Sequence, residues 1–402
     1  MEKRTRNLRL VGRDEVSLGE LIHQAVRKTI EQAVEEELHA TLGAAPYERR
    51  TERSGYRNGT KNRTLTGPTG PVELTLPRGR LAKDDGGTEE WRSTVVPRYQ
   101  RRMREVNEAV AGVYLSGGNT RRIRGALRPL LKNAPLSKSA VSRIVTTLRG
   151  EWETWRAQSL ADLNVVYLYL DAIALKVRSA GRVTGLPVLA AVAVLADGTK
   201  RLVSLEVCGS ESGAAWEGFV EGLIARGMKA PRLCIIDGNA GLRRAIALAW
   251  RTTKIQRCAV HKLRNILRKV PQHAHAEITA DFHLIVYASG LDTARAARDA
   301  FVKKWGKRCA GAVESLNEAG DDLITFYSFP PEQWKTIRTT NVIERLNGEF
   351  RRRVKTQGSF PTEDCALVLL YSLIASGQIN LRRLDGYEKI IDVIAHEEEA
   401  VA

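Results

Sequence analysis

From Leu18 to Leu38, apolar residues recur at three- and four-residue spacing (Leu18, Leu21, Ile22, Ala25, Val26, Ile30, Ala33, Val34, Leu38), which predicts an amphipathic helix over residues 17–42. Ser17 with Glu20 forms a capping box at its start, and Gly43 supplies a stop. Such a helix either packs on its own domain or joins two copies of the chain. The helical period is lost over residues 48–80, which are dense in Gly, Pro, Arg and Asn and carry one short strand signal at Val72–Leu76. Arg57, Lys61, Arg63, Arg78 and Arg80, interleaved with Tyr56, suit either phosphate contact or a solvated basic loop.

Helical spacing returns over residues 98–150: Val106–Leu115, a break at Gly117–Gly118, Thr120–Leu131, then Ser137–Leu148. The last two, joined through Asn133–Pro135, resemble a helix-turn-helix in which Ser137 caps the second helix and Lys138, Ser139 and Ser142 face a groove. Beyond residue 160 the pattern changes to strands. Asn164–Val177 is a long apolar run, and Pro187–Leu195, the turn Ala196–Asp197–Gly198 and Lys200–Val207 read as a hairpin. A helix at Ala214–Arg226, a buried strand at Arg232–Ile236, a helix at Ala240–Trp250 and a last strand at Ile255–Cys258 complete the series. Three antiparallel strands followed by helix, strand, helix and strand is the order of an RNase H-like sheet, shared with a few other folds. After Val260 the chain reads as helical and basic, then mixed, up to Pro330–Pro331, with a final helical block at Asn341–Lys355 and Pro361–Ser376.

Charge sharpens this picture. Among 402 residues, Lys and Arg outnumber Asp and Glu by 63 to 46, a formal net charge of +17. A balance this basic points to a polyanionic partner, nucleic acid before an anionic membrane surface. Residues 98–150 carry twelve basic side chains against two acidic ones, Glu105 and Glu108, which favours DNA as the partner of that segment. The longest apolar runs, Leu186–Ala196 and Ala366–Ala375, are too short to span a membrane. The basic start MEKRTRNLRLVGRDE lacks the apolar stretch of a signal peptide. Five scattered cysteines form no disulfide framework, so a reduced cytoplasmic setting is expected, with association to the nucleoid through DNA.

Three carboxylates stand out. Asp171 interrupts VVYLYLDAIALKV, a strand otherwise apolar on both faces, where an acid must be paired or metal-bound. Asp237 ends a strand before Gly238 and a helix, at the strand end where α/β sheets bind ligands, although Asp before Gly is also a common turn. Glu344 lies in TTNVIERLNGEFRRRVK, either as the reciprocal partner of an Asn341 cap or as a functional acid on a helix facing a polyanion. Together the three fit a two-metal phosphoryl-transfer site, because Mg²⁺ takes oxygen ligands and keeps several waters. Cys258 and His261 form a C-x-x-H pair at the end of the last strand; zinc would need two further ligands, which leaves His261 beside the carboxylates or, alternatively, a packed histidine with a buried cysteine.

The strings LDAIALKVR, IDGNAGLRRAI, QRCAVHKLRNIL and TTNVIERLNGEFRRR, in that order, resemble the Mutator-like superfamily of DDE transposases, in its bacterial insertion-sequence branch. RSGYRNG, LPRGR, YLSGGNTRRI and LSKSAVSRI upstream are similar to that family's N-terminal region, so the likeness runs from about residue 50 to residue 376. It implies an α+β chain with an RNase H-like mixed-sheet core, flanking helices and an all-helical insertion, preceded by a mostly helical DNA-binding region. It implies Asp171, Asp237 and Glu344 as a triad for two Mg²⁺ ions, with Mn²⁺ able to substitute. It also implies His261 as a catalytic neighbour, and Cys258 and Trp216 as recurrent near-site positions. The expected organisation is a helical segment at 1–47, a basic loop and strand region at 48–97, and a DNA-binding domain at 98–160. The core is expected at 161–261 and 336–380, the insertion at 262–335 and a tail at 381–402. DNA contacts are expected from Arg121, Arg122, Arg124, Lys138, Ser139, Ser142, Arg143, Arg345, Arg351 and Arg352. The expected function is a transposase that binds terminal inverted repeats, cleaves a strand and joins its 3′-hydroxyl to target DNA. It would act as a homodimer or higher oligomer on DNA, with no membrane partner. The rival readings are a non-catalytic DNA-binding regulator and a nuclease or resolvase.

Overall fold

The computed structural model describes residues 17–48, 53–116, 120–132, 134, 136–179, 182–355, 360 and 362–401. The basic N-terminal stretch, the Gly117–Gly118 break, Asn133 and Pro135 of the expected turn, and Pro361 lie outside the described residues. The chain divides into two compact units between Val145 and Thr146, within one helix.

In the first unit, α1 (Leu18–Leu42) starts at the expected Ser17–Glu20 capping box and stops at Gly43, whose φ of 68° is left-handed. Its C-terminal half buries Val34 and Leu38 against a three-stranded antiparallel sheet: β1 (Gly55–Gly67), β2 (Gly70–Ala82) and β3 (Thr88–Glu90). Where the sequence promised mainly loop, the structure has two thirteen-residue strands. The physical reason is one-sided burial. Val72, Leu74 and Leu76 alternate inward on β2, and β1 supplies hydrogen-bond partners rather than apolar side chains. Next come α2 (Arg104–Leu115), α3 (Thr120–Ala126), α4 (Arg128–Leu131) and α5 (Lys138–Ala157). The single helix expected at Thr120–Leu131 is broken at Leu127, ahead of Pro129 near the start of α4, where proline fits a new first turn but not a continuing helix. Ser137 Oγ accepts from Ala140 N at 3.1 Å, so the cap of α5 is as expected, but the helix runs to Ala157. Val106, Val110, Ile123, Leu127, Leu131, Leu136, Ala140 and Val141 form one small core.

The second unit is built on a five-stranded sheet. Its strands are β4 (Val165–Ser179), β5 (Arg182–Leu195), β6 (Lys200–Val207), β7 (Leu233–Ile236) and β8 (Lys254–Arg257), in the order β6-β5-β4-β7-β8. The first three are antiparallel; β7 and β8 run parallel to β4 and to each other. Helices α6 (Gly213–Ala225) and α7 (Ala240–Ala249) cover one face, burying Trp216, Phe219, Leu242 and Ile246 over Leu168, Leu170, Ala191 and Cys234. Alternate residues of β4 point the other way. There Tyr167 OH donates to Gln333 and stacks edge-on to Phe329, and Tyr169 OH donates to Thr336 O. β4 is therefore buried on both faces from Val165 to Leu170, which is why that stretch is apolar without alternation; beyond Asp171, Ala174 and Lys176 are exposed.

After β8 the chain turns helical, as read from the sequence: α8 (Ala259–Leu267), α9 (His275–Val286), α10 (Leu291–Trp305), α11 (Ala310–Ala319), two 3₁₀ turns and α12 (Pro331–Ile337). Then follow α13 (Asn341–Lys355) and α14 (Glu363–Ala375), both packed on β4. The expected tail holds a further helix, α15 (Ile390–Val401), with Leu384 and Ile390 buried. All five cysteines are unpaired, and among the described residues no helix is long and apolar enough to cross a membrane.

Candidate active site

Asp171 lies on β4, on the same face as Tyr167 and Tyr169, toward α13. Pairing of β4 with β7 ends at Tyr169 and Ile235. Continuing that parallel register by two residues sets Asp171 beside Asp237, at the carboxyl end of β7. Asp237 Oδ1 accepts from Asn239 N at 3.0 Å, across a Gly238 held at φ 103°. A Cβ at Gly238 would stand 2.0 Å from Arg257 Nε, so only glycine fits between this turn and the buried arginine on β8. Asn239 then caps α7 through Leu242 N at 3.1 Å.

Glu344 comes from a distant part of the chain. Ala259 N donates to Arg338 O at 3.0 Å, which ties the start of α8 to the segment leading into α13. Thr340, fully buried, occupies the junction. Its Oγ1 lies 2.8 Å from Glu344 Oε1, 3.2 Å from Cys258 Sγ and 3.3 Å from His261 Nδ1. Its backbone N–H also points to Cys258 Sγ, at 3.3 Å. One hydroxyl proton serves the shortest of these contacts, so Thr340 donates to Glu344 and accepts from a protonated His261 Nδ1. The Asn341–Glu344 capping box is not formed: the first helical amides, of Ile343 and Glu344, bond to Thr340 O, and Glu344 turns to Thr340 and His261. His261 Nδ1 stands 3.6 Å from Glu344 Oε1.

The electrostatics single out Asp171 among the acids. Burial, then the negative charge of Asp237 and, less, of Glu344, push the Asp171 carboxyl up to about 7, against the Ala172 amide and the His261 ring. Burial also raises the Cys258 thiol, but hydrogen bonds from His261 and Thr340 outweigh it and hold the thiol below its usual range. The Cys258 hydrogen bond, helped by neighbouring negative charge and opposed by burial, holds His261 above its usual value. Among the described residues, ligand atoms of Cys258, His261 and Glu344 lie within 4.8 Å of one another; Asp171 and Asp237 are outside that group. Cys258 Sγ is fully buried and already has hydrogen-bond partners in Thr340 and His261.

Trp216 is a core residue, stacked edge-on to Phe219 at 5.7 Å. Its Nε1 and Asn239 Nδ2 both approach Glu211 Oε1, at 3.4 and 2.9 Å. The expected DNA contacts fall in two places. Arg121, Arg122 and Arg124 are on α3, and Lys138, Ser139, Ser142 and Arg143 on α5. Arg124, Ser139, Ser142 and Arg143 are exposed; the side chains of Arg121, Arg122 and Lys138 lie outside the described residues. Arg345, Arg351 and Arg352 are exposed on α13, where Arg352 pairs with Glu349 at 2.5 Å. Arg345 and Arg352 line a groove of about 620 Å³ with Lys200, Arg353 and Arg382.

This arrangement can be set against known proteins. The model of the Mutator family of transposases matches residues 2–383. The chain belongs to that family. The transposase for insertion sequence element ISRM5 of Rhizobium meliloti (strain 1021) is 32% identical over 380 residues, covering 94% of this chain and 93% of the relative. That for IS406 of Burkholderia multivorans is 33% identical over 354 residues, 88% and 89% of the two chains. That for IS256 in transposon Tn4001 of Staphylococcus aureus is 30% identical over 349 residues, 85% and 86%. In this Mutator-family chain, sequence reading passed over Thr340 and Asn347. Thr340 directly precedes the helix that bears Glu344, and Asn347 follows Glu344 by one helical turn; that spacing was the signal available for both.

Proposed function

We propose that this chain is the transposase of a bacterial insertion sequence, which binds the terminal inverted repeats of its element, cleaves a strand there and joins the freed 3′-hydroxyl to target DNA. The observation that carries the reading is the β4–β7 register, which sets Asp171 beside Asp237 on the sheet face that receives the Glu344 helix. The strand order β6-β5-β4-β7-β8, with three antiparallel and two parallel strands, supports an RNase H-like core interrupted by the helices between α8 and α12. Names of relatives as insertion-sequence transposases support DNA as substrate.

Asp171, Asp237 and Glu344 are the residues that would hold divalent cations. Their fit rests on chemistry: a partly buried group of hard oxygen donors, one of which burial and then the charge of its neighbours raise toward neutrality, suits Mg²⁺ or Mn²⁺. Two such ions held there would supply activation of the attacking oxygen and neutralisation of charge on the leaving one. The chain's own residues hold the geometry. Thr340 fixes Glu344, Cys258 fixes His261, and the Gly238 turn fixes Asp237. His261, held above its usual pKa, supplies a hydrogen donor next to the acids, suited to an anionic phosphate oxygen. The groove lined by Lys200, Arg345, Arg352, Arg353 and Arg382 gives phosphates a basic track along α13, and the α3 and α5 residues supply end recognition.

A labelled terminal-repeat duplex incubated with the protein and Mg²⁺ or Mn²⁺ tests this. End cleavage together with joined products supports the transposase. Cleavage without joining indicates a nuclease, and binding alone a regulator.

A further inference from the structure

Asn347 lies one turn beyond Glu344 on α13 and is only 1% exposed. Its Nδ2 donates to Asp171 Oδ2 at 2.8 Å, while the Ala172 amide donates to Asp171 Oδ1 at 2.9 Å. Each oxygen of Asp171 therefore receives one donor, from the strand on one side and the helix on the other, and the carboxylate plane is fixed between them. The other end of the same amide is different: Asn347 Oδ1 is buried and has no hydrogen-bond partner among the described residues. Buried polar atoms are nearly always paired, and a buried amide with one end committed and the other vacant needs a reason.

We propose that Asn347 is a positioning residue for the cation site: Nδ2 aims Asp171, and Oδ1 is an acceptor kept for a hydrogen donor, such as water, that enters with a divalent cation. The proposal rests on the reading of Asp171 as a cation-holding carboxylate. The amide suits both tasks because it carries donor and acceptor on one rigid plane. An aspartate here would lack the donor and add a negative charge beside Asp171; a leucine of similar volume would lack both functions. Residues that orient the ligands of a metal typically change its affinity by about 10–100-fold when replaced.

The test is Mn²⁺ binding to the full-length, DNA-free protein by calorimetry and by the loss of free-Mn²⁺ electron spin resonance signal. Wild type, Asn347→Leu and Asp171→Asn are measured side by side, with thermal melting in chelator as the folding control. The expected result is that Asn347→Leu melts at or above the wild-type temperature yet binds Mn²⁺ about 10–100-fold more weakly. Its DNA cleavage should then recover in part at high Mn²⁺. Wild-type Mn²⁺ affinity in Asn347→Leu, with binding lost in Asp171→Asn, overturns the role of Asn347 alone. Unchanged affinity in Asp171→Asn overturns the cation-site reading itself. If Asn347→Leu does not fold, Asn347→Ser decides: a hydroxyl too short to reach Asp171 should show the same loss of affinity, and wild-type affinity there overturns the proposal.

Discussion

Thr340 Oγ1 lies 2.8 Å from Glu344 Oε1 and within 3.3 Å of both Cys258 Sγ and His261 Nδ1. One hydroxyl thus holds together two segments of chain some eighty residues apart, the C-x-x-H pair after β8 and the acid on α13. Thr340→Val keeps the shape and the backbone donor to Cys258 but leaves Glu344 and His261 without their shared partner. We expect a loss of about 1–3 kcal/mol in stability, the cost of stranding buried polar groups. DNA cleavage should fall more than DNA binding, and Thr340→Ser should restore both. Thermal melting and single-turnover cleavage check this.

Gly238 separates Asp237 from the Asn239 cap of α7 and packs against Arg257. Gly238→Ala must adopt a left-handed φ and displace the guanidinium at once. The backbone strain alone costs about 1–3 kcal/mol. Because the turn aims Asp237, cleavage should drop even under conditions where the variant stays folded. A melting curve and a cleavage assay at a temperature well below the transition separate the two effects.

Lys262 is fully buried, with its ammonium donating to Ser315 O at 2.8 Å and Glu318 Oε2 at 2.5 Å; Arg257 reaches the other Glu318 oxygen. Burial raises the Glu318 carboxyl, but the two cations outweigh it and hold the group below its usual value. A folded-state pKa below the unfolded one contributes stability that is present at neutral pH and lost as pH falls through the acid range. Glu318→Gln should therefore remove an acid-sensitive part of the stability and leave a buried ammonium underpaired. Since Glu318 itself is more than half exposed and screened, we expect a cost of about 1–3 kcal/mol at pH 7, less than for a fully buried pair, shrinking toward pH 3. Chemical denaturation of both proteins across that range gives the comparison.

Arg124 on α3 and Arg143 on α5 are exposed in the basic segment. If both neutralise phosphates of the terminal repeat, replacing either by alanine lowers the slope of log affinity against log salt by about 0.9. Binding titrations at several salt concentrations measure this, with cleavage by the isolated chemistry at saturating protein left close to wild type.

The elements that sequence displayed best are those whose burial is local. β4 is apolar on both faces from Val165 to Leu170, and the hairpin of β5 and β6 closes on Ala196–Asp197–Gly198, with Gly198 at φ 80°. Asp171 stood out because an acid in such a strand demands a partner. The sheet of β1 and β2 was hidden because β1 carries almost no apolar side chain beyond Leu65 and is held by pairing to β2 and by α1 above it. Thr340 and Asn347 were hidden for a different reason. A threonine before a helix and an asparagine within one are unremarkable until the fold brings Cys258 and Asp171 against them.

The central claim is that Asp171, Asp237 and Glu344 act as one cation-dependent unit. Its most direct test is single-turnover cleavage of a terminal-repeat duplex by Asp171→Asn, Asp237→Asn and Glu344→Gln, each shown to be folded and to bind the duplex. We expect each variant to lose at least about 10²-fold in cleavage rate while duplex affinity stays near that of the wild type. Strand joining should fall with cleavage, and the double variants should be little worse than the single ones, as for groups that work together. Near-wild-type cleavage in any one of the three, with folding and binding intact, would contradict that unit and remove that residue from the site.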